Sequence, residues 1–311
     1  MFLLERSEGI LMNSVSSNIQ NVNQQNKPVS KKQKAAGLAT GFGVGVVPLS
    51  YIAYDTFRTV KDTDIPVMQQ FMDSVIPNVD YFDNVKKITN EIIKNEGLAD
   101  KGVKLFVTDG SKESIAEFDK MFGKVKPKKY IENVKKTLMN GGNAAYVDKY
   151  KKVMLNDKHG YGSFLHELGH AKNFNSNNIL VKALKHARKL TPFGISVVAP
   201  IALAVGLIHH VNEKKPKEEK GKVEKTLDFI TDNAGKITLA SYAPMVIEEG
   251  LASINGLKMG KKYLDPKMLN KLKSSYLKAW GTYALTASVV AATVGLGITL
   301  KENIFDNKKR A

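Results

Sequence analysis

The chain of 311 residues has no cysteine, and only four of its 47 basic residues are arginine: Arg6, Arg58, Arg188 and Arg310. The absence of cysteine excludes a disulfide framework, a thiolate zinc finger, an iron–sulfur centre and a cysteine nucleophile. Proteins that read nucleic acids depend on the planar arginine guanidinium for contacts with bases and phosphates. Because lysine supplies nearly all of the basic charge behind the net charge of +17, the composition favours an anionic lipid surface or plain solubility. We therefore expect no nucleic-acid partner.

Charge of either sign is absent from three long stretches of the sequence, residues 35–54, 193–211 and 283–300. A helix needs roughly 20 apolar residues to cross the hydrocarbon core of a bilayer, so each stretch is long enough. In the last stretch Ala284, Ser288 and Ala292 recur at a spacing that predicts a face for close helix packing. A buried central helix of a soluble protein is the alternative, because such a helix is also apolar on every side.

The segment before the first of these stretches is low in sequence complexity. Residues 13–30 are crowded with Asn, Ser and Gln and have few large apolar side chains, which is typical of a flexible tail. The stretch at 35–54 starts far into the chain and is longer than the apolar part of a signal peptide, which is roughly 7–15 residues. We interpret it as an uncleaved membrane helix.

Between the first and second charge-free stretches, the apolar periodicity alternates between that of helices and that of strands. Residues 81–95 and 112–139 have helical spacing, the second with a break near Pro127. Three short runs have strand character, Val103–Val107, Ala144–Val147 and Lys152–Leu155. Helical spacing returns after Gly162. We therefore predict an α+β fold that is mostly helical, with a small sheet that leads into a helix.

That last helix contains the motif His166–Glu167–Leu168–Gly169–His170. Residues four apart share one face of a helix, so both imidazoles can bind one metal ion while Glu167 lies near its open position. Two histidines, a carboxylate and a water form an established catalytic zinc site, in which the water's pKa falls to about 7 and the glutamate accepts its proton. A surface helix with two unconnected histidines is the alternative, but its apolar neighbours Phe164, Leu165 and Leu168 indicate burial.

A third metal ligand is expected downstream, and the acidic pair Glu248–Glu249 is the strongest candidate. The pair directly follows the apolar segment 243–247, and a helix in that frame would direct one of the two carboxylates at the metal. Ala252 would allow this helix to pack closely against the helix of the histidines. A solvated acidic pair on a helix surface is the alternative interpretation.

The motif HELGH, followed at a distance by Glu249–Gly250–Leu251–Ala252, resembles the gluzincin metallopeptidases, and its layout is most similar to the membrane-bound HtpX and CAAX-prenyl endopeptidase group. The resemblance implies that His166, His170 and Glu249 bind one Zn²⁺ per chain, with Glu167 as the catalytic base. It also implies a zincin-like sheet whose edge strand, Asn143–Ala144–Ala145–Tyr146, binds an extended substrate. The group has an Asp four positions after the third ligand, which orients a ligating histidine. This chain has Ser253 there, so the contact is expected to be weaker.

The membrane and zinc predictions constrain each other. If residues 193–211 were the only crossing between His170 and Glu249, the ligands would lie on opposite sides of the bilayer. Residues 226–247 must then return as a second helix after a lysine-rich turn, unless this hairpin lies partly outside the lipid. In the returning helix Asp228, Asp232 and Lys236 fall four apart, and we expect them to face the protein interior or a polar cavity.

These predictions divide the chain into six segments. They are a flexible tail (1–34), a membrane helix (35–54), a zincin-like catalytic region (55–192), a helical hairpin (193–247), the third-ligand helix with the helix after it (248–278), and a C-terminal membrane helix with a basic tail (279–311). With about four membrane-associated helices, the sequence predicts a multi-pass membrane protein that acts as a zinc endopeptidase. Its expected partners are the lipid bilayer and a protein or peptide substrate.

Two other interpretations stay open. The chain can be a catalytically inactive zincin-like binding or scaffold protein of the membrane, or a structural membrane protein in which the motif is accidental. For the oxyanion of a peptidase reaction, the candidate stabilising residues are Tyr161, Tyr242 and His186.

Overall fold

The computed structural model describes residues 82–122, 132, 135, 144–157, 161–209, 211 and 215–306. These ranges form α1 (Phe82–Asn95), β1 (Lys104–Thr108), α2 (Lys112–Phe122), β2 (Ala145–Val147), β3 (Lys152–Asn156), α3 (Phe164–Phe174), α4 (Ile179–Phe193), α5 (Ala199–Ile208), α6 (Lys222–Gly260) and α7 (Pro266–Asp306). A π-helical turn, Gly194–Val198, joins α4 to α5. The protein is mostly helical with a small sheet, which confirms the predicted α+β class. The predicted tail at 1–34 and membrane helix at 35–54 lie outside the described residues.

The three predicted strands all form, and they make one mixed sheet in the order β1-β3-β2. β1 runs parallel to β3 with Leu105 opposite Val153, and β2 runs antiparallel to β3 with Tyr146 opposite Val153. Within the described part of the chain, β2 is therefore an edge strand. The helix predicted for 112–139 is described only as far as Phe122, with most of its remainder outside the described residues.

The largest core encloses α3 between α1, the sheet and the adjoining ends of α6 and α7. Phe164, Leu165 and Leu168 are fully buried in it, which confirms the burial predicted for the motif helix. α1 contributes Val85 and Ile92, which its helical spacing puts on the buried side. α3 is thus held on several sides, and this fixes the direction of its histidines.

The other long helices, α4–α5, α6 and α7, pack along one another as a bundle, with small residues at the closest contacts. A Cβ atom built on Gly235 of α6 would lie 2.9 Å from the carbonyl oxygen of Ala291 in α7. The sequence predicted that Ala284, Ser288 and Ala292 form the packing face of α7. This prediction is wrong, because Ser288 and Ala292 are exposed while Ala287 and Ala291 are buried. A helix that is apolar on every side has no polar face from which its orientation can be read.

Two helical segments within the described residues are long and apolar enough to cross a membrane, Ile179–Ile208 and Pro266–Glu302. They contain most of the predicted stretch at 193–211 and all of that at 283–300. Residues 226–247 do not qualify, so the described chain has two such segments where the sequence predicted three. The fourth predicted helix, at 35–54, is not described.

α6 also differs from its prediction in two respects. It is one continuous helix of 39 residues, so the segment boundary predicted at 247/248 falls inside it, as the one at 278/279 falls inside α7. Asp228 faces inward as expected, where its carboxylate accepts hydrogen bonds from His209 and Lys220, but Asp232 and Lys236 are exposed. At 3.6 residues per turn, each four-residue step rotates by about 40°, which carries the later residues off the buried face.

Candidate metal centre

α3 and α6 cross in direct backbone contact, because each presents a glycine to the other. A Cβ atom on Gly169 would lie 1.9 Å from the carbonyl oxygen of Ala252, and one on Gly256 would lie 1.9 Å from that of Leu165. Ala252 therefore lies at the close crossing that the sequence predicted. The contact brings the side chains one turn before Ala252 over the two histidines of α3.

Three electron-pair donors converge at this crossing. The Nε2 atoms of His166 and His170 lie 3.0 Å apart, and Oε2 of Glu249 lies 3.0 Å from the first and 3.6 Å from the second. Zinc–ligand bonds of about 2.0–2.1 Å at tetrahedral angles place neighbouring donor atoms about 3.3 Å apart. The three atoms thus form a triangle of the size that zinc requires, and two imidazoles with a carboxylate are a donor set that zinc prefers.

The hydrogen-bond partners of the histidines assign their tautomers. Nδ1 of His170 lies 2.9 Å from Oε1 of the buried Glu248, a carboxylate that can only accept. Nδ1 of His166 lies 2.9 Å from Oγ of Ser253, whose own hydrogen is donated to the carbonyl oxygen of Glu249. Both Nδ1 atoms therefore carry the hydrogen of the neutral ring, and both Nε2 atoms offer lone pairs. Three lone pairs that face one another without a hydrogen between them favour a bound cation.

A glutamate that binds a metal must be ionised. Burial alone would raise the pKa of the Glu249 carboxyl group. The adjacent imidazoles of His166 and His170, together with the positive charge of Arg188, outweigh burial and hold the pKa of Glu249 well below its ordinary value.

Glu167 lies beside the three donors and is almost completely buried. Its Oε2 atom accepts a hydrogen bond of 2.6 Å from the backbone N–H of Tyr146 in β2. Burial raises the pKa of Glu167 above its ordinary value, although the nearby histidines and the Tyr146 amide oppose the rise. A carboxylate with a raised pKa is better suited to accept and return a proton near neutral pH.

A second cluster of possible metal ligands adjoins the three donors, and its carboxylates already bind the guanidinium group of Arg188. His170, Glu248 and Glu249 also bring potential metal-ligating atoms together. The guanidinium of Arg188 forms ion pairs with both of these carboxylates, at 2.6 Å between its Nη2 and Oε1 of Glu249, and with Oε2 of Glu248. The contact of Arg188 and the role of Glu248 could not be predicted from the sequence, because neither residue has a fixed spacing from the HELGH motif.

The donors open into a cavity of about 240 Å³ between the sheet, α3, α4, α6 and α7. Ala144 and Ala145 line it, whereas Asn143, the third residue predicted to bind substrate, lies outside the described residues. Tyr242 is buried between α6 and α7 instead, and the exposed His186 does not line the cavity. Tyr161 belongs to the short turn before α3. Three tyrosines line the described part of the cavity: Tyr146, Tyr276 and Tyr283.

Comparisons of the chain with models of known protein families, with curated proteins and with solved structures found no match.

Proposed function

We propose that this protein is a membrane-bound zinc endopeptidase of the gluzincin type, with His166, His170 and Glu249 as the ligands of one Zn²⁺. The observation that carries the proposal is the triangle of three donor atoms, with sides of 3.0, 3.0 and 3.6 Å, next to a buried carboxylate. Bound zinc supplies a water whose pKa is lowered to about 7 and a positive charge that polarises a carbonyl group.

In the proposed mechanism Glu167 accepts a proton from the attacking water and returns it to the leaving amine. Its raised pKa makes the carboxylate a stronger proton acceptor. The N–H of Tyr146 orients the carboxylate, because it holds one oxygen and leaves the other free to face the cavity. Substrate backbone lies along β2, where Ala145 and the preceding Ala144 border the cavity with small side chains and a peptide can add as a further strand.

The apolar helices support the membrane part of the proposal. Only 33% of the most apolar window of each candidate span is buried within the protein, whereas a core helix of a soluble protein is buried on most sides. The outward faces carry large exposed side chains, including Leu190, Phe193, Ile201, Ile208, Leu277, Leu285, Leu296 and Leu300. Many large apolar side chains exposed along two long helices need a cover, and a bilayer would provide it.

The test is hydrolysis of a fluorescently labelled unfolded protein by the full chain purified in detergent. We expect cleavage that stops on chelation, returns with Zn²⁺ and is lost in Glu167→Gln, while the exposed Glu219→Gln cleaves like the wild type. A wild-type chain that binds zinc and cleaves nothing would instead support the inactive zincin-like scaffold. Equal cleavage by Glu167→Gln and the wild type would overturn the proposal.

A further inference from the structure

We infer that Arg188 is the positioning residue of the metal centre: it fixes Glu249 as a ligand through one oxygen and occupies the neighbouring acidic group. The inference rests on the proposed zinc site. Arg188 belongs to α4, ahead of the apolar part of a candidate membrane span, whereas Glu249 belongs to α6. A side chain that joins these two helices ties the site's third ligand to the transmembrane bundle.

The two oxygens of Glu249 have separate partners. Oε1 accepts from Nη2 of Arg188 at 2.6 Å, and Oε2 lies 3.0 Å from Nε2 of His166. With Oε1 held, the carboxylate cannot rotate about its last bond, and Oε2 stays directed at the histidines. A planar guanidinium is suited to this task, because its N–H groups point in fixed directions and can bind two carboxylates at once.

The second terminal nitrogen of the guanidinium, Nη1, helps to keep the group in place. Nη1 of Arg188 forms an ion pair with Oε2 of Glu248, and the guanidinium carbon lies 5.7 Å from the centre of the Phe174 ring. Glu248 in turn accepts from Nδ1 of His170 and from the side-chain amide of Asn173. Nη1 of Arg188 also lies 3.5 Å from Nδ1 of His170. Glu248 and Phe174 do not bind the metal, so they hold the guanidinium independently of it while its contact with Glu249 orients that ligand.

The buried charges of the site are compatible with one divalent metal ion beside Arg188. Glu167, Glu248 and Glu249 are all buried, and uncompensated buried charge is costly. When all three carboxylates are ionised, their three negative charges are balanced by the one positive charge of Arg188 and the two of a divalent metal. Because Arg188 already fills the group of His170, Glu248 and Glu249, we expect one metal ion per chain and not a two-metal centre.

The experiment measures the Zn²⁺ dissociation constant of the full chain in detergent by competition with a chromophoric chelator. Arg188→Gln is expected to weaken zinc binding by about 10–100-fold, the range for residues that orient metal ligands. Arg188→Lys keeps the positive charge but loses the planar guanidinium. Its zinc dissociation constant should lie between those of Arg188→Gln and the wild type. The control is Lys189→Gln, which removes the same charge from the next, exposed position of α4 and should bind zinc like the wild type.

A double-mutant cycle then separates positioning from folding. If Arg188 acts through Glu249, Arg188→Gln has no further effect on zinc affinity in a Glu249→Gln background. The visible absorption of the Co²⁺-loaded protein should change in Arg188→Gln and stay unchanged in Lys189→Gln. Wild-type affinity in Arg188→Gln, or an equal loss in both backgrounds, would overturn the inference.

These outcomes are distinguishable from failure of the proposed function. Arg188-dependent zinc binding by a chain that cleaves no peptide would leave the positioning role intact and refute the endopeptidase. If cleavage depends on Glu167 but zinc affinity does not depend on Arg188, the endopeptidase is supported and the positioning role of Arg188 is refuted.

Discussion

Glu248 and Glu249 are neighbours in α6, yet their carboxylates bind opposite sides of the histidine pair. Oε1 of Glu248 lies 2.9 Å from Nδ1 of His170, and Oε2 of Glu249 lies 3.0 Å from Nε2 of His166. Successive residues of a helix point about 100° apart, so one carboxylate reaches the donor face of the imidazoles and the other reaches behind them. In the proposed metal centre the pair therefore divides into a ligand, Glu249, and a residue that orients a ligand, Glu248.

We expect this division to appear in zinc affinity. Glu249→Gln removes an anionic ligand and should weaken zinc binding more than Glu248→Gln does. Glu248→Gln keeps an acceptor for His170 and should weaken zinc binding by about 10–100-fold. Dissociation constants from chelator competition measure both effects, with Glu219→Gln as an exposed control. Zinc retained in Glu249→Gln but lost in Glu248→Gln would exchange the two roles.

Ser253 stands where the resembled family has an aspartate, and it still contacts His166. Ser253→Ala removes the acceptor for Nδ1–H, so this hydrogen loses its partner and the ring loses its fixed orientation. We expect about 10-fold weaker zinc binding. Ser241→Ala is the matched control, because Ser241 lies in the same helix and its hydroxyl donates to the carbonyl oxygen of Ile237, one turn earlier in that helix. Equal affinities of the two variants would mean that Ser253 does not orient His166.

The crossing of α3 and α6 should not tolerate a methyl group at Gly256. Its Cβ atom would lie 1.9 Å from the carbonyl oxygen of Leu165, so the helices would have to separate, at a cost of about 1–3 kcal/mol. Thermal unfolding of Gly256→Ala should occur at a lower temperature, with weaker zinc binding. In α7, Gly281 has nothing within 4 Å of its Cβ position, and Gly281→Ala should be neutral or stabilising by up to about 1 kcal/mol. A tolerated Gly256→Ala would contradict the close crossing.

The buried Glu167 should make the zinc-free protein less stable at neutral pH. Its folded-state pKa is raised, chiefly by burial, while the unfolded value is about 4.3. The destabilisation is therefore absent below the unfolded pKa and grows as the pH rises through the folded-state pKa. Glu167→Gln removes it, so the variant should unfold at a higher temperature than the wild type at pH 7, and the two should converge near pH 4.

The comparison is made in the presence of a chelator, with Glu219→Gln as the control for loss of an acidic group. A Glu167→Gln variant that is less stable than the wild type at pH 7 would show that burial does not penalise the ionised carboxylate.

Local patterns in the sequence predicted the strands, the motif helix and the residues that meet at its histidines. The spacing of His166 and His170 is a property of one helix turn, and the acidic pair has an apolar segment on each side. Ala252 could be identified as a packing position because small residues mark close helix contacts. In each case the signal lies within a few residues of the feature that it predicts.

Features that depend on distant contacts were not predictable in this way. Arg188 is separated from Glu249 by 61 residues, and nothing in its surroundings indicates the pairing. The four-residue spacing of Asp228, Asp232 and Lys236 did not reveal which of them is covered, since α5 and α7 determine that. Likewise, the buried face of α7 could not be read from a sequence that is apolar on every side.

X-ray absorption at the zinc edge of the purified full chain tests the proposed metal centre most directly. We predict one zinc ion per chain, with two imidazole nitrogens at about 2.0–2.1 Å and the remaining ligands oxygen. In a chain with both His166→Ala and His170→Ala, the imidazole signal should disappear together with the bound zinc. A chain supplied with zinc that retains none, or whose zinc has no histidine among its ligands, would contradict the metal centre.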